Sequence, residues 1–155
     1  MAKWEKVDLR VSPFRRLMES ARWKPLLEML GLNEVMADRL LRILLAHLML
    51  DRVITSNLTL ELVAGPSKSA NLKSVERHIA KMNIARRAGL CVALGIASDA
   101  WESDFNAFNA VRNKLSHFNP KFDLSTVKEL RSDSAFEACI QKGLRAMNVA
   151  EKKSS

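Results

Sequence analysis

The chain has 155 residues, 48% hydrophobic and 27% charged, which is enough for one domain with a buried core and excludes a disordered polymer. Five Gly, four Pro and no Tyr, beside abundant Leu, Ala, Lys and Arg, favour helix over sheet. The net charge of +8 suits a polyanion, most simply nucleic acid, although it also serves solubility or an acidic membrane surface. Cys91 and Cys139 fall in helical patterns with no Cys or His at metal spacing, so they read as buried thiols in a reducing compartment. MAKWEKVDLR at the start lacks the apolar run of a signal peptide. Leu40 to Leu50 is apolar but short, contains Arg42 and His47, and is closed by Asp51 and Arg52, so no membrane partner is expected and the location expected is cytoplasmic.

In chain order, residues 1–32 read as an N-terminal arm with short helices. Ser12-Pro13 is a helix start, followed by the apolar Phe14, Leu17 and Met18. Pro25 interrupts, and Leu26, Leu27 and Leu30 resume the apolar side until Gly31. Trp4 and Trp23 offer packing on the rest of the fold or on a partner. Residues 33–150 read as the domain proper: all-α, a single-domain helical bundle of four to six helices. Asn33 caps a long helix whose wide apolar surface, from Val35 to Ile54, makes it central. His47 within it reads as a hydrogen-bonded core residue, while Asp51 or Arg52 can turn towards a site elsewhere. Thr55 to Asn57 weakens this helix, and AGPSKSA at 64–70, with Lys68, is the clearest loop.

Asn71 or Ser74 starts the next helix. Val75, Ile79, Met82, Ile84, Ala85 and Ala88 form its apolar side; Lys73, Arg77, Lys81, Arg86 and Arg87 form a basic one. Such runs are usually solvated faces, but these cations are also the best electrostatic footprint for a nucleic-acid backbone. His78 lies on the same helix. Gly95 reads as a C-cap and Ser98 as an N-cap, with Asp99 and Glu102 well placed for the dipole of the following helix. After Pro120, Asp123 or Ser125 starts a short helix to Leu130, Ser132 to Ser134 caps a final one, and residues 151–155 are a frayed tail.

The helix after Ser98 carries the chemistry. Phe105, Phe108, Val111, Leu115 and Phe118 recur at steps of three and four, a core stripe. Asn106, Asn109, Asn113 and Ser116 recur on the other side, although Asn is a poor helix former. Arg112 and His117 flank that strip. On an ideal helix the two point about 140° apart and lie about 7.5 Å apart along the axis and do not touch, although Pro120 should end the helix with an irregular last turn, a long Arg side chain reaches round, and a second copy of the helix could bring one Arg near the other chain's His. A structural reading makes Arg112 a solvated cation, Asn113 a polar surface residue and His117 a helix-end residue favoured by the dipole.

VRNKLSHF resembles the signature of the HEPN superfamily: Arg, a polar residue that is often Asn, three more residues, then His. Arg112, Asn113 and His117 hold those positions, and GIASDAW precedes the motif helix as a Gly-containing turn does in that family. ADRLLRILLAHLMLDRVI with IARRAGLCVALGI further resembles the mannitol-operon-repressor-like branch, and the similarity covers Glu34 to Lys142. It implies a small helical bundle, a homodimer with both motifs facing a shared cleft, and metal-independent cleavage of RNA to a 2′,3′-cyclic phosphate and a 5′-hydroxyl. It also implies toxin or phage-defence work with a neutralising antitoxin or, in the repressor-like branch, a non-catalytic regulatory module acting through a protein partner.

The residues accommodate that chemistry. There is no Gly-rich phosphate loop, no Cys pair and no HExxH, and the acids do not cluster at metal spacing, so neither metal nor cofactor is expected. RNA brings its own nucleophile in the 2′-OH. His117 is the expected acid/base, Arg112 the phosphate clamp and Asn113 the orienting amide. Asn109, Lys114 and Ser116 are expected to touch RNA beside Lys73, Arg77, Lys81, Arg86 and Arg87. No helix-turn-helix element is apparent, which weakens direct readout of DNA.

Overall fold

The computed structural model describes residues 9–64, 71–117 and 123–148. Trp4, the expected loop after Ala64 with its Lys68, Phe118, Pro120 and the 151–155 tail lie outside them. The described residues are helical or irregular, with no strand. In order they form α1 (Arg15–Met18), α2 (Lys24–Met29), α3 (Glu34–Ala64), α4 (Leu72–Lys81), α5 (Ile84–Ala93), α6 (Asp99–Ser116), α7 (Lys128–Arg131) and α8 (Asp133–Met147). The expected all-α bundle is the architecture observed, and five of these helices have ten residues or more.

Helix α3 is the spine. Asn33 caps it, its side chain accepting from Met36 N–H at 2.8 Å, and α4, α5, α6, α7 and α8 pack around it. Ile43, Leu50, Ile54 and Leu58 are fully buried along one side. The expected weak point at Thr55 to Asn57 does not end the helix. Thr55 Oγ1 donates back to the Asp51 carbonyl and Asn57 Nδ2 to that of Val53, so these polar side chains satisfy themselves on the helix. The helix is therefore much longer than the Leu40–Leu50 run suggests. By length and composition it reaches what a bilayer crossing needs, with mean hydropathy 1.3 over an 18-residue window within Glu34–Val63. Its buried Arg39, Arg42 and His47, and the helices packed around it, are features of a core helix.

Arg39 and Arg42 tie the outer pieces to the spine. Arg42 lies over the Phe136 ring at 4.6 Å and donates from Nε to the Leu9 carbonyl at 2.7 Å, fixing the buried Leu9 on this face. Arg39 donates to the Leu130 carbonyl at 2.8 Å and pairs with Asp133. The start at Ser12-Pro13 is displaced: Ser12 Oγ accepts from Phe14 N–H and bonds Asp38, and α1 opens only at Arg15. Pro25 sits in the first turn of α2 and so starts that helix instead of breaking one. Gly31 and Gly95, at φ 68° and 69°, make the two left-handed turns that lead into α3 and towards α6.

One helical pattern needs correcting. Residues 72–93 are two helices, broken at Met82-Asn83, where both residues are extended and the Asn83 side chain caps α5 by accepting from Arg86 N–H at 2.9 Å. The cap resets the phase of the helix. Arg87, expected on the basic surface, therefore points inward and is buried. Asn83→Ala should lower the stability of the fold by about 1 kcal/mol in chemical denaturation, whereas Arg86→Ala, whose side chain faces solvent, should stay within about 0.5 kcal/mol.

Candidate functional site

Helix α6 is held at its N-terminal end and along its apolar stripe. The Ser98 hydroxyl caps it by accepting from Trp101 N–H, and the Trp101 indole donates to the Ala146 carbonyl of α8 at 2.7 Å. Trp101 stacks on Phe105 at 5.5 Å, and Phe105, Phe108, Val111 and Leu115 are buried as the spacing predicts. An exposed bidentate pair, Arg145 to Asp104 at 2.8 and 3.0 Å, crosses from α8 to α6. The surface opposite the stripe is thereby presented at a defined angle.

That surface divides into an outer and an inner part. His117 is exposed at the C-cap, its backbone N–H donating to the Asn113 carbonyl at 3.2 Å. Lys114, Asn106 and Ser116 are exposed, and Ser116 Oγ donates to the Arg112 carbonyl at 2.9 Å. Arg112 and Asn113 are half-buried, and Arg112 Nη1 donates to Asn113 Oδ1 at 3.2 Å. The guanidinium is thus engaged by its neighbour in sequence. Asn109 departs from expectation. It is buried, 9% exposed, and turned towards α3, so it does not join the outer strip. The polar face is wider than the free surface of α6, and the helix's lean towards α3 covers its near edge.

Beneath Asn109 lies a polar cluster that spacing along α6 did not disclose. His47, Asp51 and Thr55 form a column on α3 at intervals of four. His47 is 9% exposed and stacks on the Phe108 ring, with centroids 6.5 Å apart. Arg87 reaches in from α5, its Nη1 2.6 Å from Asp51 Oδ1 and 2.5 Å from Thr55 Oγ1. His47 Nε2, Asn109 Oδ1, Arg112 Nε and Arg87 Nε are all buried without a hydrogen-bond partner. The readable signal was the recurrence of His, Asp and Thr at i, i+4 and i+8 inside an apolar helix. Burial and the Arg112 charge hold the His47 imidazole below its ordinary range, against the Asn109 amide and Asp51, which act to raise it.

That shift gives a pH-dependent stability. The unfolded ring takes up its proton near 6.5 and the folded one only at lower pH. Between the two values the unfolded chain binds more protons, so this contribution is complete above 6.5 and is lost as pH falls through the folded value. Denaturation midpoints taken between about pH 5 and about pH 8 should fall on acidification more steeply for the wild type than for His47→Gln.

Among the expected phosphate contacts, Lys73, Arg77 and Lys81 are exposed on α4 at steps of four and Arg86 is exposed on α5. Arg87 leaves this set for the physical reason given above. His78 is exposed, its Nδ1 2.7 Å from the Ser74 carbonyl. The buried thiols are as expected, with burial pushing Cys91 up to about 11 and Cys139 up to about 12. No group of three or more metal-binding side chains occurs among the described residues. No family model matches the chain, and no curated protein or solved structure does so either.

Proposed function

We propose that this chain is a HEPN-like endoribonuclease that uses the RNA 2′-OH as nucleophile. The observation that carries the reading is the distribution of Arg112, Asn113 and His117 over the last turns of one firmly held helix. There the imidazole is exposed, and the guanidinium stands between core and surface with Asn113 as its partner. His117 exchanges the proton with the 2′-OH or the leaving 5′-oxygen. Arg112 neutralises the charge that gathers on the phosphate, and Asn113 restricts its swing. Lys114 and Ser116 flank the scissile phosphate, while Lys73, Arg77, Lys81 and Arg86 carry the strand beyond it.

Two copies complete the site. Leu44 and Leu48, 36% and 61% exposed, form an apolar stripe on α3 beside the His47 column. Covering it with a second chain would bring two motifs together and remove the need for Arg–His contact within one chain. A cytoplasmic setting and a neutralising antitoxin belong to the same reading. RNAs of varied sequence incubated with the protein in EDTA should be cut; intact RNAs at high protein concentration would count against the proposal. Replacing Lys73, Arg77 and Lys81 together with Gln should weaken RNA binding across sequences and flatten the dependence of log K on log salt by about 0.7 per lost phosphate contact.

A second reading, a regulatory module working through protein contacts, is favoured by one observation. Arg112 is half-buried and bonded to Asn113, as a residue that shapes an interface would be. It predicts that Arg112→Ala changes self-association or partner binding while no RNA is cut under any condition.

A further inference from the structure

The polar cluster between α3, α5 and α6 has no role in the reaction as described, yet it is buried in an apolar core where unpartnered polar atoms are costly. It also adjoins Arg112. Asn109 precedes Arg112 by one helical turn, and Phe108, on which His47 stacks, belongs to the same turn. Two of the buried atoms that lack partners are His47 Nε2 and Arg112 Nε. One is a ring nitrogen that accepts when the imidazole is neutral, and the other is an obligate donor. Asp51 is taken up by Arg87 at 2.6 Å, so the carboxylate of the column is already committed, while the Arg112 charge acts on the imidazole from α6.

We propose that His47 is a positioning residue for Arg112: its neutral imidazole, seated on Phe108, receives the Arg112 Nε–H and aims the guanidinium at the phosphate. The proposal rests on the ribonuclease reading for its catalytic half. The groups that face His47 are Arg112 and Asn109 from α6, Arg87 from α5 and Asp51 on its own helix. The two cations oppose protonation of the ring and Asp51 favours it. A protonated His47 offers no lone pair and repels Arg112, so acid releases the guanidinium.

The test has one arm without RNA. In nitrogen-15 NMR the Arg112 Nε–H should exchange slowly with solvent and shift as His47 titrates. His47→Leu should speed its exchange, and His47→Gln, which keeps a neutral acceptor, should preserve much of the protection. In the second arm, His47→Leu should lower kcat about 10²-fold with little change in KM, His47→Gln should recover part of that loss, and the acid limb of the kcat profile should be less steep in His47→Gln than in the wild type, leaving the limb that His117 contributes. Denaturation curves establish that both variants are folded; if His47→Leu is not, the comparison of His47→Gln with wild type at acid pH carries the test. Arg112 Nε–H exchange that does not respond to His47 overturns the proposal whatever RNA cleavage shows. A response in NMR with no wild-type cleavage confirms the contact and overturns its catalytic role together with the ribonuclease reading.

Discussion

Arg112→Ala should lower RNA cleavage by about 10²- to 10³-fold, because it removes the guanidinium proposed to clamp the phosphate as charge gathers on it. Arg112→Lys should recover little of that. A lysine is a point charge on a flexible stem and can neither fork onto two phosphate oxygens nor keep the in-plane bond to Asn113 Oδ1. His117→Ala should be about 10²- to 10⁴-fold slower, the usual worth of a placed proton-transfer group. The double variant should be scarcely worse than the weaker single one, since clamp and acid/base act on one transition state. His117 is exposed and its removal should leave the denaturation midpoint unchanged. Arg112 is half-buried, so its variants need a stability measurement beside the rate.

Phe108→Ala should destabilise the protein by about 3–5 kcal/mol, since it empties a fully buried aromatic site between three helices. The same ring explains Gly143. A Cβ placed there would come within 2.9 Å of Phe108, too close for ordinary contact, so α8 approaches α6 as it does only because residue 143 has no side chain. Gly143→Ala alone gains about 1 kcal/mol of helix propensity and meets an overpacking cost of about 1–3 kcal/mol. The single change should therefore be neutral to destabilising. In the Phe108→Ala background the obstruction is gone, and the same change should stabilise by about 1 kcal/mol. A double-mutant cycle in urea reads this reversal of sign. Two independent, additive effects would show that the ring and the glycine are not coupled.

The fold was largely legible because its punctuation is local. Asn33, Asn71, Ser98, Asp123 and Ser132 each accept from a backbone N–H at or near the start of a helical segment, where short polar side chains do better than anywhere inside one. The break at Asn83 carries the same local signal, but apolar spacing on its two sides reads as one continuous helix. From that break followed the misplacement of Arg87. Its inward turn depends on the phase of α5 and on Asp51 and Thr55, 36 and 32 residues earlier in the chain. Burial of Asn109 and of His47, the latter stacked on Phe108, is likewise a tertiary fact. Periodicity along α6 separates its two sides but does not say how far α3 covers the polar one. His117, Lys114 and Ser116 lie beyond that cover and are exposed.

The most direct measurement is cleavage of one RNA by the wild-type protein in EDTA, beside the same RNA with the 2′-hydroxyl at the cut position replaced by methoxy, with the ends of the products identified by mass spectrometry. The unmodified strand should yield a 2′,3′-cyclic phosphate and a 5′-hydroxyl while the modified strand is spared at that position. Equal cutting of both strands, or 5′-phosphate ends, would contradict the proposed function, because the nucleophile would then not be the RNA's own.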